Sequence, residues 1–220
     1  MKSKLLVPTI AALGAIVLGL GGVSQTIAQE GTPAATPIVG ASQVAVVIQD
    51  VDGNDVGNAT FTEGGDGVVT VEVEVQGLPA GEHGIHVHET GVCDPSGDQP
   101  FSSAGGHYNP AGTTHGGPPA AADHDMAAAS GSPEAGTGHA GDLGNISVGD
   151  DGTGTLTIQT DRFTLSIGPT TLQDADGSAL VIHANADDLM TDPSGNSGGR
   201  IACGVIFPPA EGTPVASHTS

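Results

Sequence analysis

The chain has 220 residues, enough for one domain, and carries 4 lysines and arginines against 25 acidic residues, a net charge of −21. So few positive charges exclude a nucleic-acid-binding protein, and the absence of lysine after Lys4 excludes a phosphate-binding P-loop and Schiff-base chemistry in the body of the chain. Two cysteines are too few for a four-thiolate zinc or iron–sulfur site, and 36 glycines with 15 prolines indicate short elements joined by turns.

Residues 1–28 have the pattern of a secretory signal. Met1-Lys2-Ser3-Lys4 is basic, residues 5–23 are apolar, and the polar stretch that follows ends on the small residue Ala28. We predict cleavage after Ala28, which removes two lysines and leaves a net charge of −23. The domain would then lie in the periplasm, at the cell surface or outside the cell, where disulfides persist. An uncleaved membrane anchor is the alternative, because 19 apolar residues could just span a bilayer.

The rest of the chain divides into a linker, a domain and a tail. Residues 29–41 are rich in threonine, proline and alanine, which is typical of an extended linker. Residues 208–220 have a similar composition and are predicted to form a disordered tail. The folded domain is therefore expected to span residues 42–207.

Eight short runs in this domain have the pattern of β-strands. Val71, Val73 and Val75 alternate with polar residues, as on a half-buried strand. Turn signals separate the runs, and no segment has the pattern of an amphipathic helix. The fold class is predicted as all-β, an antiparallel sandwich or barrel with two long functional loops, 90–141 and 187–199. The predicted strands are 44–49, 59–62, 71–75, 85–89, 146–148, 155–160, 179–184 and 201–207.

Nine histidines are the unusual feature of so acidic a chain. His86 and His88 lie two apart on one predicted strand and share a face, while Ile85 and Val87 point into the core. His183 leaves another strand in the same way. Three imidazoles with a carboxylate suit tetrahedral zinc, whereas several imidazoles without thiolate suit tetragonal copper(II), so these residues alone leave both metals open. Four more candidates lie in or just after the first long loop: His107, His115, His139 and Asp142.

Six segments, in order along the chain, resemble the copper/zinc superoxide dismutase family. They are GIHVHE (84–89), SAGGHYNP (103–110), HGG (115–117), HAGDLGN (139–145), VIHANADD (181–188) and GNSGGRIACGVI (195–206). The resemblance implies an eight-stranded Greek-key β-barrel with one copper and one zinc per chain. It also implies an enzyme that converts superoxide to oxygen and hydrogen peroxide while copper alternates between its two oxidation states.

The resemblance further implies a role for each motif residue. Arg200 would bind the superoxide anion beside copper, and His107 would bridge the two metals and supply a proton. Asp187 would tie a copper-ligand histidine to a zinc-ligand histidine, and Cys93 and Cys203 would form a disulfide. The implied copper ligands are His86, His88, His107 and His183. The implied zinc ligands are His107, His115, His139 and Asp142.

Three other histidines and one arginine lie outside the implied ligand sets. His83 matches a histidine beneath the barrel wall, and His218 lies in the predicted tail. His124 lies in an insertion, residues 116–138, where a role in metal binding stays open. Arg162 stands at a predicted strand edge with no motif around it.

Two loops depart from the family pattern. The insertion places 23 residues between His115 and His139, but the entropy of loop closure grows only logarithmically with length, so we expect zinc binding to survive. Loop 187–199 carries three aspartates and no lysine, which predicts weak electrostatic steering of the superoxide anion.

Two other functions fit parts of this pattern. A metal carrier without turnover would be expected to lack a copper ligand or Arg200, and an inert β-sandwich would carry its histidines scattered over its surface. We expect superoxide as the substrate, no nucleic-acid partner, and membrane contact only if residues 1–28 are retained. A homodimer stays open, because the sequence identifies no interface.

Overall fold

The computed structural model describes residues 42–118 and 138–211. The predicted signal segment and linker, most of the insertion with His124, and the tail from residue 212 with His218 lie outside the described residues. Within the two described ranges, no helix is long and apolar enough to cross a membrane.

All eight predicted strands are confirmed. The largest boundary errors fall at the starts of β2, β4 and β5, where Gly57, Gly84 and Gly144 obscure the strand pattern because glycine has no side chain to show periodicity. The strands are β1 (Ser42–Asp50), β2 (Asp55–Glu63), β3 (Val69–Val75), β4 (Gly81–His88), β5 (Asp142–Val148), β6 (Gly154–Thr160), β7 (Ser178–His183) and β8 (Arg200–Phe207).

The strands form one closed antiparallel barrel. Their order around it is β1-β2-β3-β6-β5-β4-β7-β8, so β4 pairs with β5 and β7 rather than with β3. This non-sequential order is the Greek-key arrangement that the resemblance implied. Pairing of β1 with β8 closes the barrel and leaves it without a free sheet edge.

Alternating apolar residues of the strands fill the barrel interior. Phe61 lies fully buried there with its ring centroid 6.4 Å from that of Phe163. A second, smaller apolar cluster lies outside the barrel wall, where Phe101 and Ala104 pack against Val181 of β7 and Cys203 of β8. This outer cluster seats part of the first long loop on the barrel.

Three connections are long, one more than the sequence predicted. The β4–β5 connection contains a single turn of 3₁₀ helix at Ser102–Ala104, and the β7–β8 connection holds the predicted loop 187–199. The third, between β6 and β7, caps the barrel with Phe163 and Leu172. The buried carboxylate of Glu63 accepts hydrogen bonds from the backbone N–H groups of Leu165 and Ser166 at 3.0 and 2.7 Å, which orders this connection.

Candidate metal centre

The register of β4 sets the middle of the site. His86 lies opposite Asp142 of β5, and His88 forms an isolated bridge with His107 of the first long loop. Ile85 and Val87 point into the barrel core, so His86 and His88 project from the outer face of the barrel wall, as predicted. Their side chains are nevertheless buried, because the two long loops cover them.

The register of β7 and β8 supplies the other side. His183, at the end of β7, lies opposite Arg200, at the start of β8. The pairing therefore places an imidazole beside one of the two arginines of the chain.

Two four-residue clusters result, each with potential ligand atoms within 4.8 Å of one another. Every one of these residues is buried, and His107 belongs to both clusters. The structure thus brings together all the residues that the motifs singled out as ligands. The clusters are His86, His88, His107 and His183, and His107, His115, His139 and Asp142.

In the first cluster, each imidazole has one nitrogen bonded and the other without a partner. The bonded nitrogens contact carboxylate or carbonyl oxygens, which can only accept, so the proton lies on that side and the other nitrogen presents a lone pair. The bonded pairs are His86 Nε2–Asp187 Oδ2 (2.7 Å), His88 Nδ1–Gly105 O (3.0 Å), His107 Nδ1–Asp142 Oδ1 (2.8 Å) and His183 Nδ1–Gly198 O (3.1 Å). The nitrogens without partners are His86 Nδ1, His88 Nε2, His107 Nε2 and His183 Nε2.

Burial keeps these imidazoles neutral. It lowers the pKa of His107 to about 4 and, together with His86, the pKa of His183 to about 3. Burial and the charge of Arg200 hold the pKa of His88 well below its usual value. Neutral imidazoles are the form that binds metal ions, so the cluster needs little proton release to do so.

Asp142 is the centre of the second cluster. Its Oδ2 accepts hydrogen bonds from the backbone N–H groups of Gly116 at 3.0 Å and His139 at 2.8 Å. His115 Nδ1 lies 3.2 Å from the same oxygen. Burial raises the pKa of Asp142, but the hydrogen bond from His107 and the close imidazoles of His115 and His139 outweigh it and hold the pKa well below its usual range. One carboxylate with three imidazoles is a donor set that suits tetrahedral zinc.

Asp187 joins the two clusters. Besides His86, it accepts a hydrogen bond from His115 Nε2 at 2.9 Å. Burial lowers the pKa of His115, but Asp142 and Asp187 together raise it to about 10. Asn145 fixes the backbone of Asp187, because its Oδ1 accepts from the Asp187 N–H at 2.7 Å and its Nδ2 donates to the Asp187 carbonyl at 3.0 Å.

Arg200 is held by two carbonyls of the first long loop. Its Nη1 donates to Phe101 O and its Nη2 to Gly105 O, both at 2.6 Å. Gly105 O also accepts from His88, so one carbonyl serves both side chains. Only glycine suits this position, because its φ is 75° and a Cβ would lie 2.8 Å from Glu89 Cγ.

The Cys93–Cys203 disulfide is confirmed. It joins residues 110 apart in sequence, with Cα atoms 5.7 Å apart. Since Cys203 follows Arg200 by three residues, the bond fixes the first long loop to the strand that carries the arginine.

Sequence reasoning missed three polar residues that hold this site. Asn145 lies within the HAGDLGN motif, which gives it no role. Asp192, counted only as a loop charge, accepts a hydrogen bond from the His115 N–H at 2.6 Å. Arg162 donates to two carbonyls beside the second cluster. These partners are distant in sequence, so no local signal identifies them. His83, by contrast, lies outside both clusters, between the carbonyls of Pro79 and His183.

Comparison with known proteins gives consistent matches. The model of the family described as copper/zinc superoxide dismutase (SODC) matches residues 56–206. A curated protein of Deinococcus radiodurans named superoxide dismutase [Cu-Zn] is 42% identical over 174 residues, covering 76% of this chain and 86% of its own length.

Solved structures agree. A double mutant of a SOD-like protein from Bacillus subtilis is similar with a TM-score of 0.60 and 36% identity, over 74% of this chain and 96% of that chain. The Cu/Zn superoxide dismutase from Brucella abortus is similar with a TM-score of 0.56 and 28% identity, over 75% of this chain and 99% of that chain.

Proposed function

Because the chain belongs to the copper/zinc superoxide dismutase family and catalyses the dismutation of superoxide with copper and zinc, we propose that its two buried clusters divide the metals between them. The cluster of four imidazoles would hold copper, since all-imidazole ligation suits both of its oxidation states. The cluster around Asp142 would hold zinc. His107 belongs to both clusters and would be a ligand of both metals, once its Nδ1 releases the proton that Asp142 Oδ1 accepts here.

The observation that carries this assignment is the set of four ring nitrogens without partners. Each belongs to a different histidine of the copper cluster, and each histidine is oriented by a hydrogen bond from its other nitrogen. An unpaired buried nitrogen costs free energy, so four of them in one cluster indicate a missing common partner. Copper supplies the one-electron oxidation and reduction of superoxide, and zinc keeps a single oxidation state.

The protein's own groups bind the anion and move a proton. We propose that Arg200 binds superoxide, because its guanidinium is fixed beside the copper cluster and stays protonated although burial lowers its pKa. His107 Nε2 would take up a proton and deliver it to the product. Asp142 and Asp187 orient the imidazoles around them. Neither Arg200 nor any copper ligand is missing, so nothing favours a carrier without turnover.

Metal content and superoxide removal should be measured together on residues 29–220. We expect about one copper and one zinc per chain, and His183→Ala should lose copper and lower superoxide removal by at least roughly 100-fold. Thr157→Ala is the control, because Thr157 is an exposed residue of β6 outside both clusters, and it should change neither quantity. Full copper occupancy in His183→Ala would contradict the ligand assignment.

We propose that residues 1–28 export the protein and are then removed. The Cys93–Cys203 disulfide, with no free cysteine among the described residues, is consistent with an oxidising compartment. The mass of the mature protein from cells tests this proposal. A chain that begins at residue 29 in the periplasmic or external fraction supports it, and a full-length chain in the membrane fraction would show an anchor instead.

We also propose a homodimer through the outer face of β1 and β8. Val47 and Val205 lie exposed on these neighbouring strands, 52% and 37% accessible, beside the uncharged Gln43 and Gln49. Asp50 and Asp55 lie at one end of this face, where Gln49 Nε2 donates to Asp55 Oδ1 at 2.9 Å. A second copy of so acidic a chain would therefore approach most easily around Val47, away from these carboxylates. Light scattering should give twice the chain mass and Val47→Lys should halve it, whereas a monomeric wild type would refute the proposal.

A further inference from the structure

The body of the chain, after Lys4, has two arginines and no lysine, and both arginines bind the same loop. Arg200 donates to two carbonyls in the part of the loop beside the copper cluster. Arg162, just after β6, donates from Nη1 to Gly117 O and His139 O, each at 3.2 Å, beside the zinc cluster. Sequence reasoning gave the second arginine no role.

The two carbonyls that Arg162 binds mark the ends of the insertion. Gly117 follows the zinc-cluster residue His115 by two positions, and His139 is itself a member of that cluster. These positions are 22 residues apart in sequence, and a single guanidinium nitrogen connects them. The contact therefore closes the loop at the point where it must converge on a metal ion.

The chain is closely packed at this junction. A Cβ at Gly138 would lie 2.7 Å from Asp142 Oδ2 and 3.0 Å from Gly117 O, so the two ends of the insertion approach each other too closely for any side chain there. Thr113 Oγ1 donates to Gly138 O at 3.0 Å and adds a second tie between the ends. Burial lowers the pKa of Arg162, but the nearby charges of Asp142 and Asp161 favour its charged form.

We propose that Arg162 is a positioning residue for zinc, which holds the two ends of the insertion together so that His115 and His139 converge on Asp142. This inference rests on the zinc ligand set proposed above. A hydrogen bond from a charged donor is roughly twice as strong as a neutral one, and here such bonds join two chain positions that are 22 residues apart. Without it, the binding of zinc itself must supply the free energy of loop closure.

The proposal is tested on zinc affinity rather than on activity. Arg162→Met keeps the aliphatic stem and removes the guanidinium. We expect zinc affinity, measured by competition with a chromophoric chelator, to fall roughly 10–100-fold, as is typical for groups that orient metal ligands. Copper affinity should change less than about threefold. The matched control is Gln159→Met, an exposed position near the end of β6, which should leave both affinities unchanged.

Two further variants separate charge from geometry. Arg162→Lys keeps the charge but presents a compact ammonium in place of the planar guanidinium, so it should recover only a minor part of the lost affinity. Gly138→Ala leaves Arg162 intact and separates the same two chain ends, so it should also weaken zinc binding. Cobalt(II) in the zinc site gives a visible absorption band that reports the ligand geometry, and this band should change in Arg162→Met and Gly138→Ala.

Several results would overturn the proposal. Unchanged zinc affinity in Arg162→Met, equal loss of zinc and copper affinity, or full recovery by lysine would each do so. A lower unfolding midpoint with normal zinc affinity would assign Arg162 a purely structural role. Failure of the zinc ligand set itself is distinguishable, because His139→Ala would then retain the cobalt(II) band of the wild type.

Discussion

His86, His88 and His183 stand on barrel strands, whereas His115 and His139 stand on a connection of 53 residues. The strand histidines are placed by ladder hydrogen bonds that the whole barrel maintains. The loop histidines have no such ladder and depend on side chains that reach them from elsewhere. The proposed copper cluster, here the copper half of the centre, therefore has three of its four residues on barrel strands. The proposed zinc cluster, here the zinc half, has only one, Asp142 of β5.

One metal centre thus combines residues placed by strand pairing with residues placed by hydrogen bonds to a loop. Strand residues keep their geometry as long as the barrel is folded, so the copper half should be preorganised without metal. Asp187 connects His115 of the zinc half to His86 of the copper half. Asp142 of β5 holds the backbone of Gly116, and Asp192 holds that of His115, so both fix the first long loop to other segments. Substitutions that remove these hydrogen bonds should therefore lower zinc affinity more than copper affinity.

The largest expected effect comes from removing the carboxylate shared by the zinc half. Asp142→Ala deletes a buried group that contacts three imidazoles and two backbone N–H groups. We expect zinc affinity to fall by at least roughly 1,000-fold, beyond the loss seen for groups that only orient ligands, while some copper binding survives on the strands. Elemental analysis after dialysis checks this, with the exposed Asp151→Ala as the control. Equal loss of both metals would show that the two halves are not separable.

The disulfide should have the next largest effect, on the stability of the whole domain. Replacing Cys93 and Cys203 by serine opens a closure between residues 110 apart. The free energy of unfolding should fall by roughly 2–5 kcal/mol, because the bond restricts the unfolded chain. Urea denaturation of the metal-free protein measures this, with reduced wild type as the comparison. A reduced wild type as stable as the oxidised one would contradict the prediction.

A smaller effect is expected from Asp192→Ala. This change removes the acceptor of the His115 N–H and leaves the ligand side chains intact. Losing a charged hydrogen bond costs about 1.5–3 kcal/mol, equivalent to a drop of roughly tenfold or more in zinc affinity if the cost falls on the bound state. Isothermal titration with zinc gives the value. An equal drop in copper affinity would show that Asp192 supports both halves.

Salt should change the catalytic rate only slightly, and upwards. The chain is strongly acidic, with a net charge of −21, and loop 187–199 has no lysine to offset the repulsion of an anionic substrate. Raising ionic strength from about 0.01 to 0.15 M shortens the Debye length from about 30 to 8 Å and screens that repulsion. Pulse radiolysis measures the second-order rate constant. A clear fall in rate with salt would reveal attractive steering that the charge distribution does not predict.

The smallest effect concerns acid stability of the same loop. Hydrogen bonds from Thr191, and then from Met190 and Asn196, lower the pKa of Asp188 to about 2. A lowered folded pKa contributes stability above the unfolded value of 3.8, and this contribution is lost as the pH falls through about 2. Asp188→Asn should therefore melt slightly below wild type at pH 6, and the difference should shrink between pH 4 and pH 2. A difference independent of pH would refute this assignment.

The strands and the motif residues could be read from the sequence because both leave local patterns. Alternating valines identify β3, and the two-residue spacing of His86 and His88 places both on one face of β4. Asp192 and Arg162 have no such local pattern, because each forms hydrogen bonds with backbone groups far away along the chain. The third long connection was also missed, since Phe163 and Leu172 bury themselves there without regular secondary structure.

The carbonyl of Gly105 has a consequence for how the enzyme can vary. Because this oxygen accepts from both His88 and Arg200, a displacement of its peptide plane would move a proposed copper ligand and the proposed anion-binding guanidinium together. The spacing between the His88 imidazole and the Arg200 guanidinium would then be kept when the surrounding loop shifts. Insertions elsewhere in this loop can accumulate over evolution without retuning the reaction, whereas a substitution that rotates this one peptide should impair metal binding and substrate binding together.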